Sequence, residues 1–144
     1  MKRKAALLLL GALLTAGCTP GAPLKSGGEN AAQAPPVGPQ TISPQEAYER
    51  MQSAQAGTYA LLDVRTPEEF AGGHIPGAAL LPDHEIGARA GEVLPDKEKP
   101  VFLYCRSGRR SRDAARQLSD MGYEAVYDFG GILDWPYETV KGAP

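Results

Sequence analysis

Four strand-length runs in this chain, Tyr59 to Val64, Ala78 to Leu81, Val101 to Tyr104 and Glu124 to Tyr127, lack a regular alternation of apolar and polar residues. A strand that keeps one face in water alternates, so runs of this kind predict strands covered on both faces. Helix signals lie between them. Ser43-Pro44-Gln45-Glu46 combines an N-cap, a proline in the first turn and an acid three residues after the cap, and predicts a helix to about Gln55, ended by Gly57. Thr66-Pro67-Glu68-Glu69-Phe70 repeats the signature over a shorter helix, and Asp83 to Ala90 predicts another. Ser111 to Met121 places Ala114, Ala115, Leu118 and Met121 on one helical face, with Gly122 as the stop. Strands separated by helices predict an α/β fold, a mostly parallel sheet with helices on both faces.

The chain has 144 residues, enough for one compact domain with appendages. Fifteen basic against 17 acidic side chains give no broad cationic field, which argues against a nucleic-acid partner. Met1-Lys2-Arg3-Lys4 is a basic cap, and the apolar run Ala5 to Leu14 has signal-peptide length, too short to cross a bilayer core of roughly 30 Å as a helix. Leu14-Thr15-Ala16-Gly17-Cys18 resembles a lipobox, although Thr15 stands where an aliphatic residue is usual. Residues 1–17 are therefore expected to be a lipoprotein signal peptide, and Cys18 to be acylated. Several acyl chains at about 0.8 kcal/mol per buried methylene suffice for stable anchoring. Thr19 to Gln40 is built of Gly, Pro, Ala, Ser and Gln, too poor in large apolar side chains to offset ordering entropy. The expected organisation is thus 1–17 signal, 18–40 lipidated cysteine and tether, and 41–144 a single domain. The expected location is the cell envelope, lipid-anchored and facing away from the cytoplasm.

With Cys18 acylated, Cys105 is the remaining thiol in a compartment where thiols usually pair. It is either a buried, inert hydrophobe or a thiol kept for chemistry, and its neighbours favour chemistry. Cys105-Arg106-Ser107-Gly108-Arg109-Arg110-Ser111 leaves the end of a predicted parallel strand and enters a predicted helix. In open parallel sheets, sites form beyond the carboxyl ends of strands. A loop there can turn successive amides toward one point, and the helix N-terminus adds about half a positive charge. Together with Arg106, Arg109 and Arg110, such a cradle should lower the thiol pKa from its free value of about 8.5 and expose a thiolate nucleophile.

Leu61-Leu62-Asp63-Val64-Arg65-Thr66-Pro67-Glu68-Glu69-Phe70, Gly73-His74-Ile75-Pro76-Gly77-Ala78, Tyr104-Cys105-Arg106-Ser107-Gly108-Arg109-Arg110-Ser111 and Gly130-Gly131-Ile132-Leu133-Asp134-Trp135 resemble, in order and at family spacing, the motifs of single-domain rhodaneses. The resemblance covers nearly all of Thr41 to Val140. It implies a five-stranded rhodanese-like sheet and sulfur transfer through a persulfide on Cys105. Arg106, Ser107, Gly108, Arg109 and Arg110 would form the substrate-binding loop, with Arg110 closing it. Asp63 and Arg65 would support the loop from the neighbouring strand end, or form no more than a structural ion pair. The implied partners are a small sulfur donor such as thiosulfate and a thiol or cyanide acceptor, with no cofactor and a monomeric chain.

His74, in a Gly/Pro turn, is expected to hydrogen-bond locally rather than act as a base, and His84 to be solvated. Trp135 and Phe129 are expected to pack. No metal-ligand spacing is present. Two other functions share the pattern. Cysteine phosphatases use a similar cradle with five residues between nucleophile and arginine, whereas four separate Cys105 from Arg110. A non-catalytic partner-binding or sulfur-carrier module is the other alternative, though such modules usually lack the cysteine.

Overall fold

The computed structural model describes residues 38–143; the basic cap, the apolar run, Cys18 and most of the tether lie outside the described residues. Five parallel strands, β1 (Gln40–Thr41), β2 (Ala60–Asp63), β3 (Ala79–Leu80), β4 (Val101–Cys105) and β5 (Val126–Gly131), are hydrogen-bonded in the order β1-β5-β4-β2-β3. Four helices accompany them: α1 (Pro44–Ser53), α2 (Pro67–Gly72), α3 (Ile86–Val93) and α4 (Arg109–Asp120). Among the described residues no helix is long and apolar enough to cross a membrane.

The missing alternation has a direct cause. All five residues of β4 are buried, because the sheet carries a separate apolar cluster on each face. Val101, Leu103 and Cys105 belong to one cluster, with Ile86 and Ala90 of α3 and Ala114, Ala115 and Leu118 of α4. Phe102 and Tyr104 belong to the other, with Ala47 and Met51 of α1, Phe129 and Trp135. Each fully buried apolar side chain contributes about 1.5–3 kcal/mol, so a strand apolar on both sides is most stable at the sheet centre. That is where β4 lies.

The helix caps behave as the sequence predicts. The Ser43 side chain accepts from the Glu46 amide at 3.1 Å, and Thr66 and Glu69 form a reciprocal capping box at the start of α2. Other boundaries move. The expected helix from Asp83 opens as a 3-10 turn, Asp83–Glu85, before α3 continues to Val93. Helix α4 begins at Arg109 rather than Ser111, since Gly108 takes a left-handed φ of 93° and turns the chain early. Strand β5 starts later than expected but runs on to Gly131, and β1 includes Gln40, assigned by sequence to the tether, paired with Tyr127.

Topology fixes where a site can form. From β2 the chain crosses through α2 to β3 on one side, and from β4 it crosses through α4 to β5 on the other. The crevice between the carboxyl ends of β2 and β4 is therefore the switch point of the sheet. Asp63 closes β2 there, and Cys105 closes β4.

Candidate active site

Cys105 is 1% exposed, so its sulfur ends a core strand rather than lying on the surface. Burial alone would push the thiol up. Hydrogen bonds from the Ser111 amide and hydroxyl, followed by the Gly108 and Ser107 amides, outweigh it and bring the thiol below its ordinary value. The Gly108 N–H donates to Sγ at 3.0 Å. Of these donors the Ser111 hydroxyl counts least, because its single hydrogen is drawn to Asp128 Oδ1 at 2.6 Å. The thiolate is thus held mainly by backbone amides at the mouth of α4.

Two glycines make this loop possible: Gly108, which the sequence places in the substrate-binding loop, and Gly131, to which sequence reasoning assigned no site role. A Cβ on Gly131 would collide with the Arg106 carbonyl oxygen and stand 2.6 Å from Ser107 Cα. A Cβ on Gly108 would press on Gly130 Cα at 3.3 Å. The loop therefore rests directly on the β5 backbone. A register shift between Leu103 and Cys105 pairs Cys105 with Gly131, giving β5 the extra residue. Buried Asp128 accepts from the Gly130 amide at 3.0 Å and from Ser111, tying β5 to the first turn of α4.

The three loop arginines divide. Arg106 and Arg109 are exposed, and their guanidinium groups make no hydrogen bond among the described residues. Arg110 turns inward. Its two terminal nitrogens donate to both Glu69 oxygens at 2.8 Å each, and its charge couples to Cys105. Arg110 and, with it, the Thr66 amide overcome partial burial and hold the Glu69 carboxyl down at about 2. Glu69 therefore links the capping box of α2 to the active loop, a role invisible in a sequence where it reads as a helix-cap acid. Ser107 is exposed, and Gly108 is buried beneath the loop.

Asp63 and Arg65 form a buried pair, 0% and 5% exposed, with Arg65 Nε 2.8 Å and Nη2 2.5 Å from the carboxylate. Burial works against the Arg65 charge, and the Asp63 carboxylate more than restores it. Arg65 also donates to the Gly73 carbonyl at 2.7 Å and lies 5.6 Å from the Tyr104 ring centre. The pair makes no hydrogen bond to residues 105–110; Arg65 lies against the ring of Tyr104, the strand residue before Cys105, and shares a cleft with Arg106. Burial, and then the Asp63 charge, push the Tyr104 phenol up, so it stays protonated while accepting from the Ile75 amide at 3.0 Å.

His74 lies against the Phe70 ring with centroids 3.7 Å apart, and its Nδ1 is 3.0 Å from the Phe70 carbonyl oxygen. Its backbone pairs with Val140, fastening the C-terminal segment to α2. His84 is exposed beside Asp83 and Glu85. Phe129 and Trp135 pack together at 5.4 Å. No cluster of three or more potential metal ligands occurs among the described residues. An open cleft of about 520 Å³ runs from Arg65, Glu69 and Gly73 to Arg106, Leu133 and Trp135.

A parallel α/β sheet with an amide-cradled thiol at its switch point defines a class, and the family model for the rhodanese-like domain matches residues 43–137; the chain belongs to the rhodanese-like family. Among curated relatives, it is 41% identical over 81 residues to the thiosulfate sulfurtransferase PspE of Escherichia coli, across 56% of this chain and 78% of that protein. It is 46% identical over 76 residues to a sulfurtransferase of Allochromatium vinosum, across 52% of this chain and 69% of that one. Among solved structures it is similar to a rhodanese with anions from E. coli (TM-score 0.56, 39% identity, 58% of this chain and 99% of that one). It is also similar to a rhodanese-like domain protein from Staphylococcus aureus (TM-score 0.63, 28% identity, 72% and 99%). Sulfur transfer between a donor and an acceptor is the activity that this membership supports.

Proposed function

We propose that the chain is a thiosulfate sulfurtransferase that carries sulfane sulfur as a persulfide on Cys105, tethered to the cell envelope through an acylated Cys18. The observation that carries the chemistry is the buried Cys105 sulfur receiving the Gly108 N–H at 3.0 Å, with its pKa lowered by amides despite burial. The thiolate attacks the outer sulfur of thiosulfate, a sulfur–sulfur bond to Cys105 forms, and sulfite departs with the electron pair of the broken bond. The persulfide anion inherits the amide cradle. Cyanide or a thiolate then attacks the outer sulfur, and the electron pair of the Cys105 bond returns to Sγ.

The loop residues contribute different things to these steps. Ser107 and Gly108 supply amides. Arg106 and Arg109, unpaired and exposed, offer charge to the arriving dianion and the departing sulfite. Arg110, already held by Glu69, adds a fixed positive field rather than a free anion clamp. The short loop favours sulfur transfer over phosphate hydrolysis, since helix α4 begins four residues after Cys105.

The test is thiocyanate formation from thiosulfate and cyanide by the full chain beside Cys105→Ser, with intact mass after thiosulfate treatment. Turnover and the mass gain of one sulfur should both vanish in the variant; equal rates would refute the assignment. The address is tested separately, by whether Cys18→Ser moves the chain from the membrane fraction to the soluble one. Equal partition would remove the anchor from the proposal.

A further inference from the structure

We propose that the surface around the Cys105 mouth docks an acidic polypeptide that presents the acceptor thiol; the inference rests on Cys105 being a persulfide carrier. From Thr41 onward the chain has eleven basic and sixteen acidic residues, so this part is net acidic. Five of those eleven, Arg106, Arg109, Arg110, Arg112 and Arg116, fall within eleven consecutive residues at the active loop and α4. The charge is therefore strongly uneven.

Pairing sharpens the point. Arg50, Arg65, Arg89, Arg110 and Arg116 each have a carboxylate within salt-bridge distance. Among the described residues Arg106, Arg109 and Arg112 have none, and all three are exposed. Residues 109 and 112 are neighbours on one helix face, and Arg106 leads into it from the loop. Leu133, 66% exposed, sits beside Arg106, its amide donating to the Arg106 carbonyl at 3.3 Å. It borders the cleft of about 520 Å³.

Arg106 and Arg109 flank Ser107 and Gly108, whose amides hold the sulfur, so whatever covers this rim lies beside the site of transfer. The cationic rim selects an anion, while the exposed leucine and a cleft of about 520 Å³ exceed what thiosulfate or cyanide can engage. A chain with acidic side chains and a cysteine satisfies all three features. Its thiolate attacks the outer sulfur of the Cys105 persulfide, forming the new sulfur–sulfur bond as the bond to Cys105 breaks and its electron pair returns to Sγ. No oxidant or reductant is consumed. Rim charges act mainly on encounter rate and fade with salt, which separates this surface from the cradle itself.

The probes are two synthetic single-cysteine peptides, one with four glutamates and one with four lysines, given to the persulfide form of the full chain. At about 20 mM ionic strength the acidic peptide should accept sulfur at least about tenfold faster in kcat/KM, narrowing to about twofold at 0.5 M. Arg112→Glu and Leu133→Ser, both surface changes, should slow the acidic peptide about fivefold and leave thiosulfate-to-cyanide turnover within about twofold. Equal rates for the two peptides would overturn the proposal. So would variants that slow cyanide turnover as much as peptide transfer, because the rim would then serve small anions alone. A third overturning result is competition by phosphatidylglycerol vesicles that disappears in Arg112→Glu, which would assign the patch to a lipid surface. If the parent forms no persulfide at all, the reading beneath the proposal fails, and the absence of cyanide turnover identifies that case.

Discussion

Two buried ionisable groups sit at adjacent strand ends, and their charged forms are stabilised in opposite ways. At the end of β2 the Asp63 carboxylate is neutralised by a full counter-charge, Arg65, in a fork that leaves neither group open. At the end of β4 the Cys105 sulfur meets backbone amides and a more distant Arg110 that is itself occupied by Glu69. Partial dipoles favour the charged form without quenching it, whereas a charge held by its opposite becomes structural. The difference explains why one strand end is chemically silent and the other is the candidate nucleophile.

The largest expected effect breaks the silent side. Asp63→Ala leaves the Arg65 guanidinium buried without its partner and should cost about 3–5 kcal/mol in urea unfolding. An apolar replacement of both residues should recover most of that stability, because it removes both buried charges. If the paired variant also keeps sulfur transfer, the Asp63–Arg65 pair is only scaffold; if it abolishes transfer in folded protein, the contrast between the two ends is wrong.

Next is Gly131→Ala. Its methyl group meets the Arg106 carbonyl and Ser107 Cα, so the loop must lift, at about 1–3 kcal/mol of stability. Iodoacetamide titration should then show the Cys105 pKa moving up toward its free value, with sulfur transfer falling in parallel. An unchanged thiol pKa would mean that the amides are not what ionises it.

Glu69→Gln is milder. It loses a half-exposed ion pair but can retain the capping contact, so about 1 kcal/mol is expected, with a several-fold change in kcat. The folded Glu69 pKa, about 2, lies below its unfolded value, so its contribution to stability is present above roughly pH 4.5 and is lost as pH falls toward 2. Parent and variant should therefore converge in stability through that window; constant separation would show that Glu69 is not ionically linked to Arg110.

The smallest effect concerns the parent alone. Its alkylation rate against pH should have a midpoint below the free-cysteine value of about 8.5, consistent with the lowered thiol. A midpoint at or above that value would erase the difference between the strand ends.

How much of this was visible in sequence follows from which forces write themselves into residue type. Buried strands β2 and β4 were legible because two apolar clusters demand apolar residues on both sides, and Cys105 because three arginines and a glycine crowd the next five positions. Strand β1 was not, since Gln40 and Thr41 are polar and join the sheet only through backbone pairing to Tyr127 and Asp128. The start of α4 was misplaced by two residues because Gly108 caps by conformation, with no side-chain hydrogen bond to give a signature. Asp128 and Glu69 escaped for a different reason: their partners, Ser111 and Arg110, are 17 and 41 residues away. Pairings at that range are set by topology, which one sequence does not print.

The depth of the Cys105 sulfur also governs what it cannot do. At 1% exposure, Cys105 is set back from the surface where a second folded domain would have to approach to within the roughly 2.05 Å of a disulfide. Burial thereby disfavours dimerisation by oxidation, even though the thiol is more acidic than usual. In the proposed persulfide, loading would add one atom outward of Sγ, so the transferable sulfur would stand nearer the surface than the sulfur that carries it.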